Sequence, residues 1–482
     1  MMPPAQPPAR PDEATPSPTP GEGDTRQLVA HTWQETDRFV PRKVVRPIQR
    51  LMQVETSSAV AILLATVAAL VIANTSAFSA YEHFWESEIR LDIGGLHILE
   101  LSLHALVNDA LMTLFFLLVS LEIKREMVFG ELRDPKAAAL PIVAAIGGMV
   151  VPAGIYVAFN AGGDNLSGWG IPMATDIAFA VALLASLGSR VPMGARLFLL
   201  TLAIVDDLGA ILVIALFYSS GIDFVWLLIA AATVVLALVI QKMNVRALAV
   251  YILLGVIGWY ALHESGVHAT IIGVAFGLVT PAFAYLSPDK FPAIATNLVG
   301  EVVVRNADGV VTADEHEAND HSLRELRRLS RESQSPLHRV ENRLAPWVAF
   351  GIVPLFAFAN AGVPYPDVPL TDWLTDPVVL GIAVGLVVGK TLGIFGAAWL
   401  IEKTPLARFP AGMTPSHLLG VSMTAGIGFT VAIFIGNLAF TDEDVVEVAK
   451  LGILLGSLVA AVGGYLVLRL TGKEQPEAEA VS

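Results

Sequence analysis

Two adjacent acidic residues, Asp206 and Asp207, lie in the middle of an apolar stretch that extends from about 195 to 218. A third acid, Asp176, lies within the preceding apolar stretch. About 20 helical residues cross the hydrocarbon of a bilayer, so both stretches are candidate membrane spans. Carboxylates at that depth cost free energy unless they pair with a cation, take up a proton or face water. We infer that a small cation competes with protons for these oxygen atoms.

The composition is typical of a polytopic membrane protein. The chain has 482 residues, of which 54% are hydrophobic and only 15% are charged, with a mean hydropathy of +0.64. An ordinary globular domain is about 45–50% apolar and about 25% charged. The absence of Cys from the sequence excludes a disulfide framework and thiol chemistry. Without a basic patch, the sequence offers no indication of nucleic-acid binding, and no motif predicts a cofactor.

The apolar stretches predict an all-α polytopic fold with about twelve transmembrane helices. These begin near Ser57, Leu103, Leu140, Ile171, Ala195, Phe224, Leu248, Val267, Trp347, Val378, Ser416 and Val446. We predict a disordered, basic N-terminal tail over residues 1–46, a transmembrane domain over 47–471 and a C-terminal tail over 472–482. A polar insert interrupts the transmembrane domain at about 287–339, and a helix that begins near Glu341 is expected to lead from it into the ninth span.

The distribution of Lys and Arg predicts the orientation. Nearly all of the 30 basic residues fall on alternate connections, which places that side and both termini in the cytoplasm. On the opposite side, residues 88–101 alternate polar with apolar around Gly94-Gly95, which predicts a small external β-hairpin. A plain external loop is the alternative.

The fourth and eleventh spans carry sequence signals of an interruption, near Ala174-Thr175-Asp176 and near residues 426–430. Broken spans in corresponding positions of two halves are typical of a transporter built from inverted repeats. Asp176 is placed to compensate the positive N-terminal ends of half-helices, and Lys390 to compensate their negative C-terminal ends. Alternatively, Pro172 and the glycines only permit a kink or close packing.

The sequence resembles the NhaA-type sodium/proton antiporters of bacterial membranes. The resemblance covers roughly residues 47–469 and rests on LEIKRE at 121–126, ATDIAFA at 174–180, AIVDDLGA at 203–210, SGVHAT at 265–270, FAFANAG at 356–362 and GIGFT at 426–430. It implies twelve transmembrane helices with crossed, interrupted fourth and eleventh helices. It also implies a multi-pass protein of the bacterial inner membrane that forms homodimers through the external hairpin.

The resemblance implies roles for individual residues. Asp206 and Asp207 correspond to the ion and proton site, Thr175 and Asp176 to the helix crossing, and Lys390 to the lysine that pairs with the first aspartate. Asp109 is the acid of the second span. The positions tied to pH response or ion access are Glu122, Arg125, Glu126, His268 and Glu341. Thr391, Asn342 and Ala345 depart from common family patterns, so the family's pH profile does not transfer.

We predict that Asp207 is the principal sodium ligand, assisted by Asp206 and Thr175, and that Asp206 is the proton-linked partner of Lys390. Protons and sodium then compete for one set of oxygens, and lithium is a second transported ion. Release of a proton from Lys390 on sodium binding allows a second proton to move, which makes the exchange of cytoplasmic sodium for external protons electrogenic. The chain is predicted to be a transporter and not an enzyme.

Several alternatives remain open from the sequence. An intramembrane aspartyl protease could use Asp176 and Asp206, and a sodium-coupled symporter of organic anions could use the same acids. The charged set around Glu122 could be an ordinary cytoplasmic loop with solvated ion pairs. His268 could be a hydrogen-bonded histidine at a helix end, and Asp109 could be a buried polar link.

Overall fold

The computed structural model describes residues 55–93, 96–219, 221–245, 247–287, 289–300, 313–364 and 370–472. The predicted N-terminal tail, nearly all of the C-terminal tail and residues 301–312 of the insert lie outside the described residues. The described part is mostly helical. Its first elements are α1 (Glu55–Ala73), α2 (Phe78–Glu86), β1 (Glu88–Ile93), β2 (Leu96–Ser102), α3 (Leu103–Phe129) and α4 (Pro135–Phe159).

The middle of the chain contains a 3-10 segment (Asp164–Met173), α5 (Ile177–Ser186), α6 (Met193–Phe217), α7 (Phe224–Lys242), α8 (Leu248–Glu264) and α9 (Ile271–Val279). Two helices of the insert follow, α10 (Phe291–Gly300) and α11 (Ala313–Glu332). The last elements are α12 (Pro336–Asn360), α13 (Leu370–Leu374), α14 (Pro377–Glu402), α15 (Pro415–Thr424), α16 (Phe429–Ala439) and α17 (Glu443–Thr471).

Nine helices of the described residues are long and apolar enough to cross a membrane, and the bent pair α15–α16 makes ten. The predicted seventh and eighth spans are shorter. α8 has 17 residues. α9 has only nine, because the chain becomes helical at Ile271 rather than at Val267 and the helix ends at Val279. A count of twelve therefore stays a prediction.

The predicted hairpin is confirmed. β1 and β2 pair antiparallel, with Arg90 opposite Glu100 and an irregularity between Leu91 and Asp92. The Arg90 Nε lies 2.7 Å from Glu100 Oε1, so an ion pair reinforces the cross-strand pairing. The connecting Gly94-Gly95 lies outside the described residues.

Two predicted boundaries were wrong. The fourth span begins at Asp164, as a 3-10 segment, and not at Ile171. The helix expected to begin near Glu341 begins at Pro336, because the Ser335 side chain accepts the backbone N–H of His338 and caps the helix there. Proline at the first helical position adds to this start signal. α12 thus runs without interruption from the end of the insert into the ninth span.

Small residues set how closely the spans approach one another. α4 and α14 touch backbone to backbone at Gly147 and Gly393, where a Cβ on either residue would overlap the backbone of the other helix. Gly209 of α6 meets α4 differently, through the flexible side chain of Met149. Close approach of this kind is the usual role of glycine between membrane helices. It brings Lys390, one turn before Gly393, deep into the interior.

Candidate functional site

A charged pair occupies the interior of the bundle. Lys390 of α14 and Asp206 of α6 are 0% and 1% exposed, and their Nζ and Oδ2 atoms lie 2.5 Å apart. The turn that precedes Lys390, Gly385–Gly389, is a π-helical bulge, a feature common at functional sites. Each of these buried charges is compensated by the other, so removal of either one leaves an isolated charge.

Lys390 also binds the first interrupted span. Its Nζ donates to Thr175 Oγ1 at 2.6 Å, and that hydroxyl donates to the carbonyl oxygen of Ala425 at 2.8 Å. Ala425 caps the C-terminal end of α15. The positive charge is therefore linked, through one hydroxyl, to the negative end of a half-helix.

Asp176 lies between two helix N-termini. Its Oδ1 accepts the backbone N–H of Phe179 in α5 at 3.2 Å. Its Oδ2 accepts from the N–H and the hydroxyl of Thr430 in α16, at 3.1 and 2.5 Å. The Asp176 N–H in turn donates to Ile427 O at 2.6 Å. The two interruptions, Ala174–Asp176 and Ala425–Gly428, are thus hydrogen-bonded to each other, and the carboxylate compensates two positive helix ends.

Substitution of Thr430 by Val is expected to destabilise the protein by about 1–3 kcal/mol, because a buried carboxylate oxygen loses its hydroxyl donor. The thermal unfolding midpoint in detergent measures the loss. Thr391→Val is the matched control, since the Thr391 hydroxyl bonds only to Val387 O of its own helix among the described residues. Equal losses in the two variants would contradict a special role for the Thr430–Asp176 bond.

Asp207 differs from its neighbour. It is 5% exposed, and among the described residues no hydrogen-bond partner reaches its carboxylate. Adjacent helical residues point about 100° apart, so Asp207 faces away from Lys390 while Asp206 faces it. Asp206, Glu122 and Asp176 lie within electrostatic reach of Asp207. The oxygen atoms that remain available are those of Asp207 together with Asp206 Oδ1, which is buried without a partner.

A cation at this place would need further oxygens. Among the described residues, no three acidic, His or Cys side chains converge as a metal-binding group. Hard cations accept carbonyl, hydroxyl and water oxygens as well as carboxylates. The backbone of the two interruptions supplies such carbonyls close to Thr175.

A second charged cluster joins α3 to α12. Arg125 Nη1 pairs with Oε1 of the buried Glu341, and Arg125 Nε lies 3.9 Å from Glu126 Oε1. Glu122 lies within electrostatic reach of Arg125 and Glu341, and also of Asp207. Four of the predicted pH-response residues are thereby brought together.

His338 is a member of this cluster that sequence reasoning missed. Its Nδ1 lies 3.8 Å from Glu341 Oε2. The available signal was the i, i+3 spacing, but it required a helix that begins before Glu341.

The remaining predicted residues, Asp109 and His268, lie elsewhere. Asp109 Oδ2 is 3.7 Å from His263 Nδ1, and His268 Nε2 is 2.7 Å from the carbonyl oxygen of Tyr218. Asp109 and His268 interact electrostatically with each other. The structure therefore separates His268 from the Glu341 cluster and pairs Asp109 with His263, a residue that the sequence did not single out.

Ser457 of α17 is another site residue that the sequence analysis did not identify. Its hydroxyl accepts the backbone N–H of Phe429 at 3.1 Å and so caps the N-terminus of α16 beside Asp176. A serine on a separate helix, 28 residues along the chain, carries no local signal of this role.

Known proteins are similar in sequence to this chain over nearly its whole length. A family model described as Na+/H+ antiporter 1 matches residues 49–468. The Na(+)/H(+) antiporter NhaA of Oleidesulfovibrio alaskensis is 44% identical over 441 residues, which cover 90% of this chain and 97% of that protein. The protein of the same name from Rhodopirellula baltica is 44% identical, with 91% of this chain and 96% of that protein covered. The one from Helicobacter pylori is 42% identical, with 88% of this chain and 96% of that protein covered. The chain belongs to the family of NhaA-type Na+/H+ antiporters.

Proposed function

We propose that this antiporter exchanges cytoplasmic Na+, and also Li+, for external H+, with Asp207 as the principal ion ligand. The observation that carries the proposal is that two adjacent carboxylates differ in their bonded partners. Lys390 holds Asp206, whereas Asp207 has no hydrogen-bond partner among the described residues. A carboxylate this deeply buried, with no donor beside it, is suited to bind a proton or a metal ion.

In the proposed cycle, sodium displaces one proton from Asp207 and draws Asp206 away from Lys390. Thr175, already bonded to Lys390, exchanges that donor for the ion. Lys390 then gives up its proton, because its compensating carboxylate is occupied. The loss of one proton from the carboxylates and one from Lys390 makes the exchange electrogenic. Since the two acids and the lysine interact strongly, they titrate as one coupled unit.

We further propose twelve transmembrane helices arranged as inverted repeats, with the fourth and eleventh crossing at their interruptions. The hydrogen bonds from Asp176 to Thr430 and Ile427 support the crossing. The basic connections support cytoplasmic termini in a bacterial inner membrane. The exposed hairpin, with backbone edges open for pairing, supports a homodimer.

The alternative of an intramembrane aspartyl protease loses support from the geometry. Asp176 is bound to two helix N-termini, and Asp206 is bound to Lys390. A protease needs the two carboxylates to share one water, and these two are each occupied by other groups.

Sodium-dependent proton movement in proteoliposomes tests the function. The purified chain is reconstituted without organic solutes, and a sodium gradient is expected to drive protons in the opposite direction. Clamping the membrane potential with K+ and valinomycin should accelerate an electrogenic exchange. Sodium binding without proton release would overturn the proposal, and a requirement for an organic anion would favour the symporter.

We expect Glu341→Gln to move the pH of half-maximal exchange toward acid by about half a unit to one unit. The substitution leaves Arg125 without its main partner, and an uncompensated positive charge opposes proton uptake by the carboxylates around it. Exchange rates measured over a pH series give the shift. Asp320→Asn is the control, because its ion pair with Arg324 lies on the surface of α11. Identical profiles for both variants and the parent would refute a pH role for the cluster.

A further inference from the structure

Four uncharged side chains form a hydrogen-bonded group away from the charged pair. His104 Nε2 lies 3.0 Å from Asn360 Oδ1, and Asn437 Nδ2 donates to the same oxygen at 2.6 Å. Asn360 Nδ2 donates to Asn108 Oδ1 at 2.9 Å, and Asn108 Nδ2 lies 3.3 Å from His104 Nδ1. The bonds among His104, Asn360 and Asn108 close into a ring, to which Asn437 adds a fourth member.

The ring is chemically complete when His104 is neutral. Its Nε2–H then donates to Asn360, and its Nδ1 accepts from Asn108, so both ring nitrogens of His104 have a partner. Asn360 is 0% exposed, and its second amide hydrogen is taken by Phe356 O at 3.0 Å. Around this ring, α17 contributes the positive charge of Lys450 near His104, and Asp109 follows Asn108 on α3. A buried network of hydrogen bonds of this kind helps to fix the relative positions of the elements that contribute to it.

The ring binds the same half-helix that Asp176 binds. Thr430 and Asn437 are seven residues apart on α16, which places them on one face and about 10 Å apart along the axis. Thr430 is bonded to Asp176 at the interruption, and Asn437 is bonded to Asn360 at the other end. α16 is therefore held at both ends, once near the charged pair and once by the ring.

We propose that His104, Asn108, Asn360 and Asn437 form an external latch, a set of positioning residues that closes the outer half of the ion route and must open in every transport cycle. The inference rests on the proposed exchange and on the proposed orientation. In that orientation the start of α3 and the ends of α12 and α16 lie on the external side. Amide and imidazole hydrogen bonds contribute modestly to stability because water can replace them. Water that enters an outward-open route would supply that replacement, and the break would free the helix turn that carries Asp109.

A reversible cross-link tests whether the latch opens. The chain contains no Cys, so Asn360→Cys with Asn437→Cys introduces two unique thiols. A short bis-methanethiosulfonate reagent bridges them, and mass spectrometry verifies the bridge. We expect cross-linking to slow Na+/H+ exchange at least about tenfold and reduction to restore the rate of the unbridged variant. An unchanged rate in the bridged protein would overturn the proposal.

A single substitution gives an independent measurement. Asn437→Ala weakens the latch, which should favour the outward-open state and lower the half-saturating external Na+ concentration about threefold while raising the cytoplasmic one. Asn160→Ala is the control, because Asn160 is a buried amide that bonds to Pro377 O outside the ring, whereas Asn437 is only partly buried. Equal or symmetric changes in the two variants would refute the latch. A parent chain without any exchange would refute the proposed function instead.

Discussion

Replacement of Asp207 by Asn is expected to lower sodium-driven proton exchange at least about a hundredfold, a loss of about 2.7 kcal/mol of stabilisation or more. The amide keeps the shape of the side chain, but it can neither bind and release a proton nor supply a charged oxygen to sodium. Because Lys390 already holds Asp206, no second unpartnered carboxylate replaces Asp207. Exchange in proteoliposomes under a fixed sodium gradient measures the loss.

Asp109→Asn is the matched control for this experiment. It makes the same chemical change at an intramembrane acid that pairs with His263 rather than with Lys390. We expect it to slow exchange less than about tenfold. Full exchange by the Asp207 variant at unchanged sodium affinity would show that the ion binds elsewhere.

Substitution of Lys390 by Met is expected to destabilise the protein by about 3–5 kcal/mol, because it leaves the carboxylate of Asp206 buried without its cation. The loss should diminish in acid, where Asp206 can take up a proton and become neutral. Unfolding in detergent, followed over a pH series, measures both effects. Lys124→Met is the control, since Lys124 is partly exposed and donates to the carbonyl oxygen of Leu278 rather than to a carboxylate.

The double variant Lys390→Met with Asp206→Leu separates stability from transport. Both charges are then absent, so most of the lost stability should return. Exchange should stay abolished, because the proton-linked pair no longer exists. A double variant less stable than Lys390→Met alone would contradict the electrostatic explanation, and one that transports normally would contradict the proposed cycle.

The sequence predicted those parts of the site in which a charge lies inside an apolar stretch. Asp206 and Lys390 stand out because each is a charge inside an apolar stretch, and the family resemblance pairs the two. The hairpin was predictable because strand alternation and a Gly-Gly turn are local signals. Asp176 was predictable for a similar reason, as its side chain compensates the ends of nearby half-helices.

Other parts depend on contacts between distant segments. Ser457 binds Phe429, and His104 binds Asn360, from separate helices, and neither pattern has a fixed spacing in the chain. The length of α9 was also mispredicted, because an apolar stretch indicates burial and not how many of its residues are helical. His338 was missed because the start of α12 was placed five residues too late.

The direct backbone contact between Gly147 and Gly393 restricts which helices can shift relative to one another. Since neither helix has a side chain there that could rearrange, we expect α4 and α14 to move together as one body that carries Lys390. α6 meets that body at Gly209 through Met149, whose unbranched thioether adapts to small displacements. Shear between packed helices needs such a compliant surface. We therefore expect Asp206 to separate from Lys390 by displacement of α6 along Met149, with the helix that carries the lysine unchanged in shape.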